Sequence, residues 1–215
     1  MHKTAAEIVN LTVANSLRPF LTGLGFRSGP GRSFLRKVPG GITQRIVFQL
    51  VRAREDPELN IYFGIGFEAL RPIEARWKSI SPAEASNSQL GDSVGHVSPP
   101  FRFRSLPVVN ADQLAEACLD ELTNNVLPFL VRHSDLSTAV ECWDGDYPYG
   151  RVNARIFGPL GRLALGDVAG GIASAYLHQR RLESMGADAD VIDEQKRLAA
   201  FIRDYRAARR QPEVP

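Results

Sequence analysis

The chain has 215 residues, 44% hydrophobic and 23% charged, with 26 Lys+Arg against 24 Asp+Glu. That composition excludes disordered, collagen-like and membrane-spanning classes and leaves enough length for a substantial core. The net charge of +2 excludes a strong global attraction to nucleic acid or to an anionic membrane surface. Charge is nevertheless uneven along the chain. Residues 1–110 hold 14 basic and 8 acidic side chains, and residues 111–215 hold 12 and 16, so the halves carry +6 and −4.

Two cysteines, Cys118 and Cys142, are too few for a disulfide scaffold, and no Cys/His cluster has structural zinc spacing. No metal and no cofactor are expected. No apolar run reaches the roughly 18 residues of a spanning helix, and the N-terminal stretch is broken by Asn10, Asn15 and Ser16, unlike a secretory signal. A reduced, cytoplasmic setting without membrane association is the expectation.

Thr4-Ala-Ala-Glu7 is a capping box that starts a helix. Ile8, Leu11, Leu17, Leu21 and Leu24 recur at helical spacing, Gly23 and Gly25 are stop signals, and Pro19 kinks the helix or opens a new one. From Ser33 to Glu68 the period becomes two. Ser33–Val38 reads as a strand, Pro39-Gly40-Gly41 as a hairpin turn, and the next strand puts Ile46, Phe48 and Leu50 on one face with Arg45, Gln49 and Val51 on the other. A third strand alternates Leu59, Ile61, Phe63, Ile65 and Phe67 with Asn60, Tyr62, Gly64, Gly66 and Glu68, which predicts one buried and one open face.

Ile73–Trp77 reads as a fourth strand and Ser79–Pro100 as a long loop. Phe101–Arg104 alternates again as a strand with a basic second face. A helix capped near Asn110 buries Leu114, Cys118, Leu119, Leu122 and Val126 and runs into Leu127-Pro128-Phe129; a short one follows over Leu136–Cys142. Beyond the turn-rich residues 143–150 the chain reads as helical. One stripe is Val168, Ile172, Tyr176 and Leu182, Gly186 stops it, and the next is Ile192, Gln195, Leu198, Ile202 and Tyr205, together a helical hairpin. The predicted class is α+β. An antiparallel meander of four to five strands is packed by the N-terminal and central helices over 1–150, and 151–215 forms a C-terminal helical extension on the same body.

The order of these features resembles a bacterial family catalogued as domain of unknown function 4304. The resemblance covers roughly residues 5–142. It rests on Leu24-Gly-Phe26 followed by a basic turn and Phe34-Leu-Arg36, on Phe48-Gln49-Leu50, on the Asn60-Ile-Tyr-Phe-Gly64-Ile-Gly66 strand and on Leu127-Pro-Phe-Leu130. It implies an architecture and supplies no activity.

Cys118 lies on an apolar helix stripe and Cys142 at a helix end, so both read as buried structural cysteines. His2, His96, His133 and His178 show no metal-ligand spacing. Glu141, Asp144 and Asp146 cluster in a turn-rich stretch but lack the rest of a calcium loop. The glycine-rich segments Gly25–Gly31 and Gly161–Gly171 lack phosphate-loop signatures and read as a turn and as close helix packing. Two surfaces remain. The stretch Asp112–Asp146 holds eight acidic residues against the single Arg132, with Asp112, Glu116, Asp120, Glu121, Glu141, Asp144 and Asp146 as candidate contacts for a basic protein. The open sheet face offers Arg45, Gln49, Asn60 and Tyr62, joined by Arg102 and Arg104. The leading expectation is a non-enzymatic protein-interaction module, of the kind exemplified by immunity proteins that block a basic partner. The alternatives are nucleic-acid binding through the basic sheet face and an enzyme or small-ligand site above Gly64 and Gly66. Oligomeric state is open at this stage.

Overall fold

The computed structural model describes residues 3–52, 56–85, 90–93, 105–145 and 151–209, without the side chains of 52, 92–93, 151–153 and 206–209. The expected strand over 101–104 and Asp146 lie outside the described residues. The fold is α+β with a six-stranded sheet. It divides into two compact units, Met1–Gly66 with Gly91–Arg132, and Phe67–Leu90 with His133–Pro215. The division follows packing, not the sequence split at 150.

In the first unit the Thr4 capping box forms as read, with Glu7 N–H donating to Thr4 Oγ1 and Thr4 N–H to Glu7 Oε2. Helix α1 (Ala5–Thr12) continues through a π-helical turn at Val13–Leu17 into α2 (Arg18–Gly23). The buried stripe is Val9, Val13, Leu17 and Leu21, correcting the expected stripe: Ile8 and Leu11 are half-buried and Leu24 is exposed. Spacing of four drifts around an α-helix by about 40° per step. A π turn adds one residue and returns the stripe to one side. It also accommodates Pro19, because Arg18 N–H already reaches back five residues to Val13 O and the proline that follows has no N–H to place.

The same solution recurs in the central helix. α4 (Ala111–Glu121) is capped by Asn110, whose side chain accepts Gln113 N–H at 3.0 Å. It passes through a π turn at Leu122–Val126 into α5 (Leu127–Arg132). Its buried stripe, Leu114, Cys118, Leu122, Val126 and Leu130, is again spaced by four; Leu119 is only half-buried. Asn15-Ser-Leu-Arg-Pro-Phe-Leu21 and Asn124-Asn-Val-Leu-Pro-Phe-Leu130 are thus two copies of one local device, a likeness the sequence reading passed over.

These helices cover one face of the sheet, in which β1 (Arg27–Ser28), β2 (Ser33–Val38), β3 (Ile42–Arg52), β4 (Pro57–Phe67) and β5 (Leu90–Ser93) lie in chain order and β6 (Leu106–Pro107) pairs with β4. The β2–β3 hairpin is antiparallel from Val38↔Ile42 to Ser33↔Val47. Gly40 and Gly41 at its turn have φ of 83° and 69°, which other residues adopt at a cost. Phe63 of β4 meets Phe129 of α5 edge-on at 5.1 Å, and Gln44 Nε2 donates to Leu130 O at 3.0 Å.

In the second unit, residues 71–78 form a helix, α3 (Arg71–Lys78), which corrects the expected strand at Ile73–Trp77. Ile73, Ala75 and Trp77 alternate, but Pro72 in the first turn favours helix. Glu74, fully buried, pairs with Lys78 Nζ at 2.7 Å one turn on. Leu90–Ser93 forms β5, so the expected loop over 79–100 contains a strand. The remaining elements among the described residues are α6 (Leu136–Asp144), α7 (Arg151–Ala164), α8 (Val168–Ser184) and α9 (Ala189–Arg209). α8 and α9 make the expected hairpin, with Gly186 at φ 67° after the first helix, and α7 packs beside α8 as a further layer. The inward stripe of α8 is Gly171, Ser174, Ala175 and His178, replacing the expected Val168, Ile172, Tyr176 and Leu182; small side chains let the helices approach. Gly161 does the same on α7. A Cβ there would lie 2.5 Å from Val140 Cγ2 and 3.1 Å from Trp143 Cζ3.

Gly161→Ala should therefore lower unfolding free energy by about 1–3 kcal/mol through overpacking. Gly23→Ala, where nothing lies within 4 Å, should raise it by about 0.5–1 kcal/mol. Urea denaturation of both variants checks the pair.

Candidate interaction surfaces

The expected acidic contacts divide between the two units. Asp112, Glu116 and Asp120 are exposed along one face of α4, four residues apart and hence stacked on successive turns. Among the described residues no Lys or Arg is paired with them; Asp120 Oδ1 accepts from Asn124 Nδ2 at 2.7 Å. Glu121 departs from the expectation. It is 4% exposed and its Oε2 accepts from Asn125 Nδ2 at 2.6 Å, because it follows Cys118 by three residues and so turns with the buried stripe. Glu141 is exposed on α6, in the second unit.

Asp144 is withdrawn into a polar cluster. Its Oδ2 accepts from Arg162 Nε at 2.6 Å, its Oδ1 accepts from Ser174 Oγ, and His178 Nε2 stands 3.5 Å from Oδ1. Arg162 also reaches Asp167 Oδ2 at 3.2 Å, and Asp167 Oδ1 caps α8 by accepting Gly170 N–H at 2.8 Å. Gly158 leaves room for this meeting, since a Cβ there would lie 2.7 Å from Asp144 Oδ1. Burial pushes the Asp144 carboxyl up, but His178, Ser174 and Arg162 together outweigh it and hold the pKa below the ordinary value. Serine, histidine and aspartate invite comparison with a nucleophilic triad, in which the serine hydroxyl serves the imidazole. Here Ser174 donates to the carboxylate, and the cluster ties α6, α7 and α8 together.

The sheet-face candidates also separate. Arg45 and Gln49 are exposed on β3, Tyr62 is half-buried and Asn60 is 1% exposed; Arg102 and Arg104 lie outside the described residues. The expectation of an open face along β4 is corrected. Asn60, Gly64 and Gly66 are buried, and β5 lies so close that a Cβ on Gly91 would fall 2.5 Å from Gly64 Cα. Glu68 has left the strand for a 3-10 turn, Glu68–Leu70. Among the described residues, both polar atoms of the Asn60 side chain are without hydrogen-bond partners. What the sheet does expose is a basic ladder over β1–β3. Arg27 stands opposite Leu35 and Leu35 opposite Arg45, with Lys37 exposed two residues along the same face. Arg27 and Lys37 escaped the sequence reading, although the strand parity that selected Arg45, applied through the hairpin register, places them beside it.

Cys118 and Cys142 are buried thiols outside any disulfide, and burial, reinforced by Glu121, pushes the Cys118 thiol up to about 12. Among the described residues no three His, Cys, Asp or Glu side chains are placed to hold a metal ion, and no helix is long and apolar enough to cross a membrane. Comparison with protein-family models, curated proteins and solved structures finds no match to this chain.

Two outcomes follow from these environments. Asp144→Ala leaves Ser174 Oγ and Arg162 Nε without the carboxylate they donate to and should cost on the order of 3 kcal/mol. Because the folded pKa of Asp144 is depressed, its contribution is complete above the unfolded value and disappears as pH falls through the folded one. The variant should accordingly lose less stability than the parent on acidification below about pH 4, as followed by urea midpoints across pH. Asn60→Val removes two polar atoms that are unpartnered among the described residues and should leave the unfolding free energy equal or raise it by up to about 1 kcal/mol.

Proposed function

We propose that this chain is a non-enzymatic protein-interaction module, acting in a reducing, cytoplasmic setting, whose recognition surface for a basic protein partner is the outer face of α4. The observation that carries the reading is the row Asp112, Glu116 and Asp120, exposed on successive turns and unpaired with any cation among the described residues. Three carboxylates spaced along a rigid helix raise the encounter rate with a basic surface and fix its register. An immunity-type role, in which such a face covers a basic partner, is the specific form of the proposal. The motif order over residues 5–142 supports a relationship with the family of unknown function named above, which supplies no activity. Glu121, Glu141 and Asp144 do not belong to this face.

The basic ladder Arg27, Arg45 and Lys37 favours a second reading, binding of single-stranded nucleic acid on the sheet. Its register supports it; Leu35 between the two arginines is not an aromatic platform of the kind that stacks bases.

The triple variant Asp112→Lys, Glu116→Lys and Asp120→Lys should fold as the parent does, since all three side chains are exposed. Pull-down from the native host at low salt should recover a basic protein with the parent and lose it with the variant. Unchanged capture overturns the leading reading. Single-stranded RNA and DNA binding, measured at low and moderate salt, tests the second: it requires affinity at low salt that falls steeply as salt rises.

A further inference from the structure

β3 is longer than the strand beside it. It runs over eleven residues, Ile42–Arg52, whereas β2 pairs with it only from Val38↔Ile42 to Ser33↔Val47. The neighbouring chain leaves the strand line at Arg32, whose carbonyl accepts Phe48 N–H at 3.0 Å. Backbone groups of a strand alternate between its two edges, so the N–H and C=O of Leu50 aim along the same edge as those of Phe48, past the last residue of β2. Among the described residues no strand continues there.

This edge opens on a groove of about 480 Å3 lined by Asn10, Gly31, Arg32, Phe48, Gln49 and Leu50. Its cation is Arg32. Nε donates to Asn10 Oδ1 at 2.9 Å, which orients the guanidinium, and among the described residues no carboxylate is paired with it. Leu50 and the adjoining Val47 are half-buried and give the groove apolar walls.

Direction follows from the geometry. A strand added here antiparallel to β3 runs from beside Arg52 toward Phe48, so its last residue arrives against Arg32. That residue ends in a carboxylate, which the guanidinium can take in a charge-assisted pair. A parallel strand would bring an N-terminal ammonium to the same cation. We propose that the free edge of β3 captures the C-terminal segment of a partner protein by strand addition, with the terminal carboxylate held by Arg32 and an apolar last side chain against Leu50. Main-chain pairing supplies binding, and the carboxylate with its neighbouring side chain supplies selectivity. The surface shares no residue with the acidic face of α4.

The test uses the full chain and a synthetic pool of short peptides ending in Val, Ile or Leu, labelled with fluorescein at the N-terminus and titrated by anisotropy. The free-acid pool should bind, and the same pool made as C-terminal amides should bind at least about tenfold more weakly. Arg32→Ala should reduce the acid pool to the level of the amide pool, and Arg32→Lys should restore part of the difference. Methylating alternate peptide nitrogens, which leaves the protein untouched, should abolish binding. The triple Lys variant of α4 should bind the acid pool like the parent, so failure here is distinct from failure of the acidic-face reading. No binding of the acid pool at millimolar concentration, equal binding of acids and amides, or full binding by N-methylated peptides overturns the proposal.

Discussion

A helix that must bury one side chain in every four cannot stay a regular α-helix, and the first unit depends on how that conflict is resolved. Val9–Leu21 and Leu114–Leu130 would wind away from the sheet at about 40° per step. One π turn in each helix pulls the stripe back, so that Leu21 and Leu130 lie buried like Val9 and Leu114. The proline that follows each turn makes the arrangement economical, because the residue lacking an N–H sits where the regular ladder is already interrupted. Phe129 is then delivered onto Phe63 and the Leu130 carbonyl to Gln44.

The second unit packs its helices with small residues around a largely withdrawn carboxylate. Gly161, Gly171, Ser174 and Ala175 bring helices close, and a close approach leaves little room to hydrate the polar groups caught between them. Asp144 satisfies several at once. A carboxylate in such a place is stable only with its donors present.

Legibility in the sequence tracked the range of the interaction that decides each feature. The Thr4 and Asn110 caps, the Pro39-Gly-Gly turn and the parity of β3 are settled within a few residues and could be read directly. Ile73–Trp77 satisfied both periods, and the chemistry of Pro72 decided between them. The polar side of β4 resembled an open face because Asn60, Tyr62 and the glycines are what solvent tolerates; burial of that side follows from distant chain, including β5 against Gly64. Glu121 illustrates a related failure. Its charge suggested the surface, while its helical phase placed it with Cys118 and Leu122. Among the candidate contacts, Asp112, Glu116 and Asp120 were legible as a row, whereas the cluster around Asp144 joins residues up to 34 positions apart and left no local mark. The edge beyond Val47 needs the register of two strands and the point where one ends.

Each unit also holds one buried thiol, Cys118 in the first and Cys142 in the second. A thiol reagent reacts with the thiolate, and Cys118 is kept from that form both by burial and by a pKa pushed up to about 12. Modification of either residue therefore waits on transient opening of the helices around it. The molecule carries its own pair of clocks: the labelling rate at each cysteine reads the opening of its own unit, without any introduced probe.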